Sequence, residues 1–190
     1  SGKALIALRN GDYASARMLY TDLQNKARDS KDIRLENLAF EEIIIIDLIN
    51  NNYDSAKAVI TEAKKSLPSQ KNIKIELLNV YILAKEDKID ASLDLYNKLK
   101  PEDLGPDSLW FFVSYSLAET CMKHNKVNQA KEILDEAYAL APRLYEKEQV
   151  TILKINTLLV LKDYTQAISV AKLFLETFPD STTRAEVLYT

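Results

Sequence analysis

The chain has 190 residues, 47% hydrophobic and 28% charged, with a formal net charge of -3, which is the composition of one globular domain or a short solenoid. It lacks the excess of Lys and Arg that displaces counterions from a duplex, which argues against nucleic-acid binding. The longest dense apolar stretch, Ile43 to Ile46 with Leu48 and Ile49, is broken by Asp47 and falls far short of the roughly 20 residues of a membrane span. The single cysteine, Cys121, excludes an intrachain disulfide and an all-thiolate zinc site.

Apolar residues recur at helical spacing from end to end. The pattern predicts helices over 3–9, 12–27, 33–49, 54–66, 72–84, 89–99, 107–123, 127–140, 144–161, 164–177 and 182–190. Between 130 and 141, for example, Ala130, Ile133, Leu134, Ala137, Tyr138 and Ala141 form one amphipathic stripe. No strand-like alternation runs beyond a few residues, and the chain has only three glycines. Asp54, Asp90, Asp107 and Ser181 are the expected N-caps, since their side chains can accept an orphan backbone N–H. Lys100 to Pro106 reads as a long connection rather than a domain boundary, because the pattern resumes after it.

One segment recurs five times. Its copies begin Gly11-Asp12-Tyr13, Asn51-Asn52-Tyr53, Asp87-Lys88-Ile89, Asn125-Lys126-Val127 and Lys162-Asp163-Tyr164. Each ends on a small residue, at Ala16, Ala56, Ser92, Ala130 and Ala167, spaced by 40, 36, 38 and 37 residues. Pro68, Pro142 and Pro179 each lie twelve residues beyond the small residue of their own segment, where a proline stops a helix. Pro101 arrives earlier in its segment, and the first segment has no proline.

These residues resemble the tetratricopeptide repeat (TPR) family. The tyrosines after the turn (Tyr13, Tyr53, Tyr164), the small residues early in the second helix and the terminal prolines carry the likeness. The first helices fit less closely: the family's small position holds Ala4 and Ala118, but also Ile44, Val80 and Ile155, and the spacing exceeds the family's usual 34 or so. The resemblance implies an all-α fold, a right-handed superhelical solenoid of about five TPR-like helix-turn-helix repeats. Its units would be 1–29, 30–69, 70–104, 105–142 and 143–179, with 180–190 starting a further helix. Phe178-Pro179-Asp180-Ser181 is similar to junctions in bacterial cell-envelope members of the family. The opening Ser1-Gly2 has the form of a cloning remnant, and the short first helix and unpaired last one lead us to expect an internal piece of a longer protein. The compartment stays open between cytoplasm and bacterial periplasm.

In such stacks the first helices line the concave face, which implies a partner surface containing Ile45, Leu77, Tyr81, Phe112, Tyr115 and Glu119, with Leu38, Glu41, Lys74, Gln149, Ile152 and Asn156 around them. Aromatic residues offer large contact area at low entropic cost; the alternative is that Tyr81, Phe112 and Tyr115 pack between neighbouring helices. The basic clamp by which chaperone-binding members hold a carboxylate tail is missing, because Glu41, Glu42, Leu77, Tyr81 and Tyr115 stand there. Cys121 reads as a buried structural thiol, His124 as a turn residue, and Trp110 or Phe111 as the cover of a hairpin junction. Glu41-Glu42 and Lys64-Lys65 read as solvated helix charges. No glycine-rich phosphate loop, paired-histidine helix or nucleophile elbow is present. The expectation is a non-catalytic scaffold with no cofactor that binds a protein or peptide within an assembly. The alternatives are a ligand- or peptide-gated regulatory domain and a self-association module forming homo-oligomers.

Overall fold

The computed structural model describes residues 2–67, 73–99 and 107–188. All regular structure among them is helical: α1 (Gly2–Arg9), α2 (Tyr13–Asp29), α3 (Ile33–Ile49), α4 (Tyr53–Ser66), α5 (Ile73–Lys85), α6 (Ile89–Tyr96), α7 (Ser108–Lys123), α8 (Val127–Leu140), α9 (Leu144–Val160), α10 (Tyr164–Thr177) and α11 (Arg184–Leu188). α6 stops at Tyr96, three residues before its expected end. Pro68, Pro101 and the connection 100–106 lie outside the described residues. The chain divides into two compact units, Ser1–Ile82 and Leu83–Thr190. In the first, α1 packs on α2, α2 on α3 and α3 on α4; in the second, α6 to α11 pack in chain order and α7 also touches α9.

The turn that opens each of the five recurring segments has one geometry. Gly11, Asn51, Asp87, Asn125 and Lys162 all take positive φ, between 57° and 73°. The residue so placed donates its N–H to the carbonyl three back, and the next residue donates to the carbonyl five back, as Asn51 does to Leu48 (3.0 Å) and Asn52 to Asp47 (2.8 Å). This is the Schellman closure, which satisfies the last carbonyls of the leading helix. Lys31 forms a sixth copy between α2 and α3. Glycine enters this conformation without strain, Asn and Asp at small cost, and Lys at more.

The turn fixes which residues are buried. Five residues after the positive-φ position, Ala16, Ala56, Ser92, Ala130 and Ala167 are all buried. Seven residues before it, Ala4, Ile44, Val80, Ala118 and Ile155 are buried too, so the large residues of the first helices are accommodated at the same place as the small ones.

N-capping falls two residues earlier than expected at two helices. Asn52 and Lys88 occupy the N-caps of α4 and α6, neither with a side-chain bond. Asp54 and Asp90 stand inside the first turn and make ion pairs instead, with Lys57 (2.8 Å) and Lys126 (2.9 Å). Asp107 caps α7 as expected, accepting from the Leu109 N–H at 2.8 Å. Ser181 accepts from the Thr183 N–H (3.1 Å) just ahead of α11.

Polar bolts cross between helices in both units. In the first, Asp47 on α3 takes both ends of the Arg17 guanidinium from α2 and the Ser55 hydroxyl from α4. Glu36 on α3 likewise accepts from Arg28 (3.0 Å) and Ser66 (2.5 Å). Lys64 pairs with Glu76 at 2.9 Å, so it is not simply a solvated charge. In the second unit the buried Tyr96 hydroxyl lies 2.8 Å from Ser114 and donates to Glu136 at 2.9 Å. Its ring packs 5.4 Å from that of Trp110. Trp110 and Phe111 are both buried.

Candidate functional site

The expected partner-facing residues fall on the first helices of the hairpins. In the first unit Ile45 on α3 and Tyr81 on α5 are half-buried. Burial pushes the Tyr81 hydroxyl above its ordinary pKa, with Tyr53 adding to the shift, so it stays neutral and able to donate. Glu41 accepts from Asn37 at 2.6 Å. Burial also raises the Glu42 carboxyl, against the opposing pull of Lys74, so Glu42 is not an ordinary solvated charge.

Leu77 requires a correction. It is 0% exposed and belongs to the core, so it presents nothing to a partner. The sequence Ile73-Lys74-Ile75-Glu76-Leu77-Leu78 is apolar on more than one face, and helical periodicity then cannot separate groove from core.

In the second unit Phe112, Tyr115 and Glu119 occupy one face of α7, at i, i+3 and i+7. Phe112 is 47% exposed, and Tyr115 and Glu119 are half-buried. The Tyr115 ring lies 6.0 Å from that of Phe111. Burial and then the Glu119 charge raise the Tyr115 pKa. On the adjoining α9, Gln149 and Asn156 are exposed and Ile152 is half-buried. The arrangement offers apolar rings, a neutral hydroxyl, a carboxylate and two amides, the groups that grip a peptide by contact and hydrogen bonding.

Two residues with reactive side chains are placed for structure. Cys121 is buried on α7, and burial pushes its thiol up to about 11, against a smaller effect of Lys126. His124 caps α7 at its C-terminal end, with Nε2 3.2 Å from Asp87. No group of His, Cys, Asp and Glu fit to hold a metal ion occurs among the described residues, and none of their helices is long and apolar enough to cross a membrane.

One surface escaped the sequence. A groove of about 350 Å³ runs between α9, α10 and α11, lined by Ile155, Tyr164, Ile168, Ala171, Leu175 and Leu188. The signal was present in Ile168 and Leu175, apolar residues seven apart on α10.

No protein-family model, no curated protein and no solved structure matches this chain.

Proposed function

We propose that this chain is a non-catalytic scaffold of TPR-like repeats, a right-handed superhelical solenoid, that binds a partner protein or peptide within an assembly. The observation carrying the repeat reading is the shared geometry of five segments: one positive-φ turn, with a buried residue seven before it and a buried small residue five after it. Hairpins of this kind cannot bury their faces alone and gain stability by stacking, which leaves an extended surface for a partner. The partner contacts we assign are Ile45 and Tyr81 in the first unit and Phe112, Tyr115 and Glu119 in the second. Phe112 supports the choice most directly, as a large aromatic left 47% exposed on a first helix.

Co-purification from native extract tests the reading. The bait is the chain itself, compared with a folded Tyr81→Ala, Phe112→Ala, Tyr115→Ala variant. A partner recovered by the parent and lost by the variant supports the first-helix surface. The same partners on both place binding elsewhere.

A further inference from the structure

We draw no further inference here: the strongest candidate, the polar groove of about 300 Å³ between α6 and α8 lined by Asp90, Asp94, Glu132 and Glu136, rests on a cluster of acidic side chains alone, and nothing in the structure shows what occupies it.

Discussion

Arg17 grips Asp47 through both arms of its guanidinium, Nε to Oδ1 at 2.7 Å and Nη2 to Oδ2 at 3.0 Å, and Asp47 is 1% exposed. The carboxylate raises the Arg17 pKa, chiefly by hydrogen bonding. Ser55 completes the site by donating to the same carboxylate at 2.7 Å, so one acidic side chain ties α2, α3 and α4 together. Removing Arg17 leaves a buried charge with one neutral donor. Arg17→Met is expected to cost about 2–3 kcal/mol, below the full figure for a buried pair because the arginine is partly exposed. Ser55→Ala costs about 1 kcal/mol. Urea unfolding midpoints check both.

The repeated turn predicts opposite effects at two of its copies. Lys162 holds φ 59° and Gly11 holds φ 73°. Lys162→Gly removes side-chain strain and should stabilise by about 0.5–1 kcal/mol after the greater freedom of the unfolded glycine is subtracted. Gly11→Ala should destabilise by about 1 kcal/mol. A Cβ at Gly11 meets nothing within 4 Å, so that loss reports backbone conformation alone. Chemical unfolding of the two variants measures it.

The helices were legible because apolar residues recur at helical spacing and four of the five recurring turns carry Gly, Asn or Asp at the positive-φ position, Lys162 being the exception. Buried acids were not. Asp47, Glu36 and Glu146 break an apolar run or sit near a helix start, as solvated residues do, and only their partners on other helices or in the preceding turn explain their burial. Leu77 was misplaced for the converse reason, since an apolar residue in a helix apolar on several faces carries no directional signal. The groove beside α10 was missed because residues of α9, α10 and α11 line it together, and a pattern within one helix does not record that.

Cys121 should be inert in the folded chain. Its thiol is raised by burial to about 11, so at pH 8 the thiolate is scarce and the sulfur inaccessible. For an acid whose folded pKa lies above its unfolded value of about 8.5, the stabilising contribution is full below 8.5 and is lost as pH rises toward 11. Thiol-reagent labelling at pH 8 should therefore follow unfolding, and native stability should fall between about pH 8.5 and 11. Rapid labelling under native conditions contradicts the placement.

Asp135 behaves in the opposite sense. Burial pushes its carboxyl up, but bonds from Lys154 and Lys131 outweigh this and hold it below the usual range. Its contribution is complete above the unfolded value of about 3.9 and disappears as pH falls through the lower folded value. Lys154→Met should cost about 0.5–1 kcal/mol at pH 7, since Asp135 is partly exposed. The gap between variant and parent should close in the most acid samples. Unfolding midpoints taken across that pH series decide it.

Site-specific photo-crosslinking tests the proposed partner surface most directly. Benzoylphenylalanine replaces Phe112 on the first-helix face of α7 or, in a separate chain, Glu132 on the exposed face of α8. Each chain is irradiated in native extract. A covalent adduct of defined mass from position 112 and none from position 132 is the predicted result. Adducts from position 132 alone, or the same adducts from both, would contradict the assignment of the first-helix surface.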